Sequence, residues 1–145
     1  MATVNVYLTF NGNTEEAFNF YKSVFGGEFT YMGRFKDMPS DENCPPPSEE
    51  EGNRIMHVSL PISKETILMA SDSTSFSGDV TFGNNFSVSI NTDSKEEADK
   101  LFNGLSAGGT IIMPMEKTFW GAYFGMFTDK FGINWMVNFD EVPAS

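Results

Sequence analysis

Residues able to carry acid–base or nucleophilic chemistry are scarce in this sequence, which holds one histidine and one cysteine. His57 lies in an apolar, strand-like stretch, and because an imidazole titrates near neutral pH it is the candidate catalytic residue. We expect it to share a strand face with Ser59 and to approach Asp72 across the following turn. A core or rim histidine that bonds a neighbour is the alternative interpretation. Cys44 lies among carboxylates, which disfavour the thiolate, so we expect no cysteine nucleophile.

A second set of residues has the chemistry to hold a ligand. The chain contains fifteen Phe, nine Met and two Trp. Methionine adapts to irregular apolar shapes, and indole N–H and phenol O–H groups orient a ligand in an apolar pocket. Core or dimer packing is the alternative interpretation for each of them. The residues that we expect to bind a ligand are Phe10, Met69, Ser87, Trp120, Tyr123, Trp135 and Met136.

The elements that must position these residues occur twice along the chain. Glu15-Glu16-Ala17 and Glu96-Glu97-Ala98 each open an apolar helical pattern, and Gly26-Gly27 and Gly108-Gly109 each end one. A self-match of this kind indicates a duplicated unit. Asn13 and Asp93 are the expected N-caps, each with a glutamate three residues later as a capping box requires.

Each unit is expected to run strand, helix, strand, strand, strand, because stretches of alternating apolar residues follow each helix. An acidic, proline-rich loop over 37–53 interrupts the first unit. It is a candidate lid or specificity loop, a docking segment for a partner, or a tolerated insertion. The predicted strands cover 4–11, 28–35, 54–62 and 65–70 in the first unit, and about 86–90, 110–117, 122–128 and 133–139 in the second.

Several short segments, in their order and spacing, resemble the vicinal oxygen chelate superfamily of glyoxalases, dioxygenases and bleomycin-resistance proteins, and within it the PhnB-like branch. Examples are Leu68-Met69-Ala70-Ser71-Asp72, Phe119-Trp120-Gly121 and Asp129-Lys130-Phe131-Gly132. The resemblance implies an α+β fold, with duplicated βαβββ modules forming a cup-shaped mixed sheet and one helix per module. It also implies a homodimer. The expected organisation is one domain over 1–145, with modules at about 3–73 and 84–140.

In that superfamily, inward-facing strands supply His and Glu ligands to one divalent ion. Carried over by position, these ligands fall near 6–8, 69–71, 86–87 and Met136, where the sequence has no His, Asp, Glu or Cys. Hard cations need carboxylate or imidazole donors. We therefore expect no metal and no cofactor, and favour a protein that binds a small molecule in a Met- and aromatic-lined cup. The alternative is a metal-dependent lyase, isomerase or transferase that uses other ligands, such as His57 with Asp72 or Glu116.

Bulk composition narrows the partners. The formal net charge of −11 repels phosphate backbones, so we expect no nucleic-acid binding. No apolar run approaches the roughly 20 residues of a membrane span, and the first residues lack the features of a signal peptide. We expect a cytoplasmic protein whose partners are a small-molecule ligand and a second copy of the chain.

Overall fold

The computed structural model describes residues 2–39 and 46–141, so Cys44 and the centre of the acidic loop lie outside the described residues. The chain divides into two compact units, 1–81 and 82–145. That both modules form a single domain stays a prediction. The first unit contains β1 (Val6–Phe10), α1 (Thr14–Phe25), β2 (Tyr31–Arg34), a 3₁₀ turn (Phe35–Asp37), α2 (Glu49–Gly52), β3 (Ile55–Pro61) and β4 (Ile67–Asp72).

The second unit repeats this order without the short α2 helix. It contains β5 (Val88–Asn91), α3 (Lys95–Ser106), β6 (Thr110–Lys117), β7 (Ala122–Thr128) and β8 (Asn134–Asp140). The sheet orders are β1-β4-β3-β2 and β5-β8-β7-β6. In each sheet the first strand pairs in parallel with the last, and the remaining pairs are antiparallel. Two four-stranded mixed sheets and three helices confirm the predicted α+β class and its duplicated βαβββ modules.

In the first unit, side chains alternate between a buried face and a less buried one, as the pleat of a strand requires. Helix α1 packs on β3 and β4 and contributes Phe18 and Tyr21 to the core. Burial of each large apolar side chain contributes about 1.5–3 kcal/mol, so this face holds the unit together. The buried strand residues are Leu8, Phe10, Ile55, Val58, Leu60, Leu68 and Ala70. The opposite side is called here the helix-free face of the first unit.

The second unit buries the corresponding face of its sheet against α3. Phe102 of α3 meets Phe127 of β7 edge-on, with ring centroids 5.1 Å apart. Trp135 and Val137 of β8 are fully buried beside them. Side chains of opposite parity form the helix-free face of the second unit. They include Ser89, Asn91, Phe124, Met126, Met136 and Asn138.

The side-chain caps at the N-termini of the two long helices differ from the predicted ones. Asn13 makes no side-chain cap on α1. Instead the buried carboxylate of Asp72 accepts hydrogen bonds from the Thr14 backbone N–H at 3.0 Å and the Thr14 hydroxyl at 2.6 Å. A carboxylate also complements the positive end of the helix dipole. In α3 the cap is Ser94, which accepts from the Glu97 backbone N–H at 3.1 Å, rather than Asp93.

The described ends of the 37–53 loop fold onto the first unit. Ser48 caps α2 by accepting from the Glu51 backbone N–H. Glu51 Oε1 in turn accepts from the Ser75 backbone N–H at 2.6 Å. Arg34, which precedes the loop, donates through Nη1 to the Asn53 carbonyl at 2.8 Å. At the start of the loop, Asp37 accepts from the Arg34 backbone N–H at 3.0 Å.

Within residues 2–39 and 46–141, no helix has the length and apolarity of a membrane span.

Candidate functional site

A hydrogen-bonded histidine lies on the helix-free face of the first unit. Strand β3 holds His57 opposite Gly33 of β2. The Tyr7 hydroxyl lies 3.3 Å from His57 Nδ1, and the Ser59 hydroxyl lies 2.9 Å from His57 Nε2. Because hydroxyl groups both donate and accept, the ring is satisfied in either neutral tautomer. The predicted sharing of a face between His57 and Ser59 is confirmed.

Two tyrosine rings flank this imidazole. The ring centroids of Tyr7 and Tyr31 lie 5.7 Å and 5.8 Å from that of His57. The two phenols are 48% and 49% exposed, so their hydroxyls are within reach of an incoming molecule. Phenol rings supply apolar contact area together with a polar tip.

A glycine makes room for one of these rings. A Cβ atom on Gly33 would lie 2.5 Å from the Tyr31 hydroxyl oxygen. Any side chain at position 33 therefore displaces the Tyr31 phenol from its place beside the imidazole. The glycine is needed here for space, because its backbone is not in the left-handed region.

Met69 completes the patch on the adjacent strand. It pairs with Ser59 of β3 and with Tyr7 of β1, and it is half-buried. Its flexible thioether offers an adaptable apolar floor beside the hydroxyl and imidazole groups. The set Tyr7, Tyr31, His57, Ser59 and Met69 is called here the tyrosine–histidine patch.

Asp72 does not approach His57 as expected. Residues 68, 70 and 72 of β4 share the buried face, whereas His57 lies on the other side of the sheet. The Asp72 carboxylate instead accepts hydrogen bonds from Gly12, Thr14 and Ile55. Its role is to fix the start of α1 to the sheet.

Three of the predicted ligand-binding residues lie on the helix side of their sheets. Phe10 and Trp135 are fully buried, and the Trp135 indole N–H donates to Asp129 Oδ2 at 2.8 Å. The Tyr123 hydroxyl donates to Asp99 of α3 at 2.6 Å. That hydrogen bond is the main reason that the pKa of Tyr123 is raised to about 12, with burial and the charges of Asp99 and Glu141 adding to it. A molecule on either helix-free face would not touch these three side chains.

The remaining predicted residues lie elsewhere in the second unit. Met136 is on its helix-free face, opposite Ser89 of β5. Ser87 precedes β5. Trp120 lies in the turn between β6 and β7 and is 60% exposed. Its ring centroid is 6.5 Å from that of Phe124.

The sequence interpretation missed Tyr7 and Tyr31 as members of a site around His57. The alternation of β1 carried a usable signal, because Tyr7 has the opposite parity to the apolar Leu8 and Phe10. Tyr31 could not be found in this way, since its position depends on how β2 pairs with β3.

The donor chemistry does not fit a hard divalent ion of the kind that the resemblance implies. The paired central positions of the helix-free faces hold Tyr7 with Met69 in one unit and Ser89 with Met136 in the other. Among the described residues no group of three or more His, Cys, Asp or Glu side chains is placed to hold a metal. Thioether sulfur does not replace carboxylate or imidazole donors for hard cations.

Comparison with known proteins agrees with the fold. The model of the Glyoxalase/Bleomycin resistance protein/Dioxygenase superfamily matches residues 3–137, and the chain therefore belongs to this superfamily. Protein YjdN of Escherichia coli (strain K12) is 35% identical over 141 residues, which is 91% of each chain.

Two solved structures extend the likeness. Protein PA1353 from Pseudomonas aeruginosa is 41% identical, with a TM-score of 0.84 over 97% of this chain and 98% of that one. The PhnB protein from Bacillus cereus is 26% identical, with a TM-score of 0.73 over 95% of this chain and 99% of that one. The chain is thus similar to PhnB-like members of the superfamily.

Proposed function

We propose that this protein binds a small organic molecule at the tyrosine–histidine patch, without the hard divalent metal of its superfamily. The observation that carries the proposal is the imidazole of His57, bonded on both ring nitrogens and flanked by two half-exposed phenols. Convergent polar groups beside an apolar floor are typical of small-molecule sites. Surface packing alone gives no reason for this convergence.

The patch indicates what kind of molecule it accepts. The described strand residues that share its face include no Lys, Arg, Asp or Glu. Arg34, which follows Gly33 on β2, lies on the other face and donates to Glu15 of α1 at 2.7 Å. We therefore propose an uncharged or weakly ionised ligand with an apolar body. A hydroxyl or carbonyl group of that ligand would meet Tyr7, Tyr31 or His57.

Among the side chains of the patch, the His57 imidazole is the one most often used as a general acid or base. Ser59 holds the ring at Nε2 and Tyr7 holds it at Nδ1, so the half-exposed Tyr7 hydroxyl is the group of the Tyr7–His57 pair that meets a ligand. The pair can donate a hydrogen bond to a ligand carbonyl or accept one from a ligand hydroxyl. Binding requires no more than this. In a reaction, His57 would be the general base or acid.

The test is to identify small molecules retained by the purified protein, using native mass spectrometry followed by denaturation. We expect a retained molecule in the wild type and its loss in Tyr7→Phe and His57→Gln. Tyr123→Phe is the matched control, because it also removes a phenol hydroxyl but one that lies on the helix side of the second unit. Equal retention by all four proteins would contradict the proposal.

A metal-dependent lyase, isomerase or transferase is the alternative function, and elemental analysis distinguishes it. One tightly held nickel, zinc, manganese or iron per chain that disappears in His57→Ala would replace the binding proposal. We expect less than stoichiometric divalent metal, because the donors of the described residues do not converge on a hard-ion site.

We further propose that the protein is a homodimer in the cytoplasm, and that β6 contributes to the contact between copies. β6 is an outer strand of its sheet, and Ile111 and Ile112 on it are 52% and 55% exposed. An exposed apolar edge strand invites pairing with another chain. Sedimentation should show a dimer for the wild type and a monomer for Ile112→Lys. A monomeric wild type would contradict the proposal, and cell fractionation tests the location.

A further inference from the structure

Three methionines lie side by side on the helix-free face of the second unit. The strand register places Met113 of β6 opposite Met126 of β7, and Met126 opposite Met136 of β8. Paired residues in a sheet point to the same face, and directly opposite Cβ atoms lie roughly 4.5–5.5 Å apart. These three residues are called here the methionine row.

Irregular pairing holds the edge member in place. The register of β6 against β7 shifts on both sides of Met113, so a bulge on each side brings this residue opposite Met126. Met113 is 44% exposed, and Met126 and Met136 are half-buried. The row is therefore partly accessible to solvent. Beyond Met136, the next residue across the sheet is Ser89 of β5.

The charges near the row favour a cation over an anion. Glu116 of β6 pairs with Phe124, which lies two residues before Met126 on β7. Asp140 lies at the end of β8. The two nearby lysines, Lys95 and Lys117, both pair with Glu141, at 3.6 Å in each case. Within residues 46–141, neither Glu116 nor Asp140 has a Lys or Arg partner at salt-bridge distance.

We propose that the methionine row binds one soft monovalent cation, Cu(I) or Ag(I), through its three thioether sulfurs. Soft metals select thioether ligands, whereas hard ions such as Mg²⁺ do not. Each methionine has three rotatable bonds, so sulfurs on neighbouring strands can converge on one ion above Met126. The ring of Phe124 adds a π-face close to the row, which also favours a cation. The methionine row belongs to the second unit, and this proposal does not rest on the proposed function of the tyrosine–histidine patch.

Apolar packing is the competing explanation for the methionine row. Substitution by leucine distinguishes packing from metal binding. Met→Leu keeps the approximate volume and hydrophobicity of the side chain but removes the sulfur. A packing role would survive this substitution, and a ligand role would not.

The experiment titrates Ag(I), added as the nitrate in chloride-free buffer, into full-length protein with Cys44→Ser as background so that the thiol does not compete. Methyl-labelled methionine gives nine methyl signals. We expect the signals of Met113, Met126 and Met136 to shift together, saturating at one Ag(I) per chain. Mg²⁺ should shift none of them.

Met126→Leu should lower the Ag(I) affinity by about tenfold or more, because even substitutions outside the ligand set cost about 10–100-fold in metal affinity. Met32→Leu is the matched control, since it removes one half-buried thioether from β2 of the first unit, and it should leave the affinity unchanged. If Met126→Leu does not fold, Met113→Leu on the edge strand gives the same test. Unchanged Ag(I) affinity in the folded variant, or shifts confined to other methionines, would overturn the proposal.

Discussion

The two units share their framework and differ on their helix-free faces. Each uses one buried aspartate to fix a loop to its sheet. Asp72 accepts from Gly12, Thr14 and Ile55, and Asp129 accepts from Phe131, Ile133 and the Trp135 indole. The first helix-free face carries a histidine between tyrosines, and the second carries a row of methionines. The helix side of each sheet therefore specifies the architecture, while the opposite face is free to acquire different chemistry.

The strongest test of the shared framework is to remove each aspartate. Asp72→Ala and Asp129→Ala should each lower the free energy of unfolding by about 3 kcal/mol or more, because each leaves several buried donors without an acceptor. Urea denaturation measures this loss. Tryptophan fluorescence reports the second unit, since Trp120 and Trp135 both lie there.

Asp93→Ala is the control for these substitutions. Asp93 is exposed, so its removal should change stability by no more than about 0.5 kcal/mol. Equal stability of the three variants would contradict the stabilising role assigned to Asp72 and Asp129.

Two glycines sharpen the difference between the faces. A Cβ atom on Gly125 would lie 2.6 Å from Met115 Sδ and 2.8 Å from Phe102 Cε2, inside the core. Gly125→Ala should therefore cost about 1–3 kcal/mol of stability through overpacking. Gly33→Ala meets only the mobile end of Tyr31, so its stability should change by less than about 1 kcal/mol while retention of the ligand falls.

Gly83→Ala is a suitable reference for both glycine variants. A Cβ atom on Gly83 would lie 3.5 Å from Asn85 Oδ1, which is an ordinary contact distance. We therefore expect Gly83→Ala to have the same stability as the wild type and to retain the same ligand. The two faces would not differ as described if Gly33→Ala lost more stability than Gly125→Ala in thermal or urea unfolding.

The smallest effect concerns Tyr123, whose pKa is raised to about 12 by its hydrogen bond to Asp99. The unfolded value is about 10. The protonated phenol is favoured in the folded state, so its stabilising contribution is complete below pH 10 and is lost as the pH rises through about 12. Ultraviolet absorbance at high pH should show a late tyrosine ionisation that disappears in Tyr123→Phe and moves to lower pH in Asp99→Asn. A late phase that persists in Tyr123→Phe belongs to another tyrosine.

The repeat, most strand positions and the shared face of His57 and Ser59 could be predicted from the sequence, because they depend on local periodicity. The hydrogen-bonding roles of Asp72 and Asp129 could not be predicted in this way. Asp72 caps a helix that begins 58 positions earlier in the chain, so its role depends on the parallel pairing of β1 with β4. Local pattern therefore assigned the cap to Asn13.

The candidate site was predictable only in part, for the same reason. Composition indicated that aromatic residues and methionines matter, but not which face each one occupies. Parity could have placed Phe10 in the core with Leu8. The alignment of Met113 with Met126 depends on two irregularities in β6, which no local pattern shows.

The central claim is that ligand binding occurs at the tyrosine–histidine patch of the first unit. The most direct test is nuclear magnetic resonance of the one imidazole in the chain, recorded on ligand-stripped protein with labelled histidine while the retained molecule is added back. We expect the Nδ1 and Nε2 signals of His57 to shift in proportion to ligand occupancy, and not to shift in Tyr7→Phe. Unchanged His57 signals, with shifts of the Met126 and Met136 methyl groups instead, would contradict the account and place the ligand on the second unit.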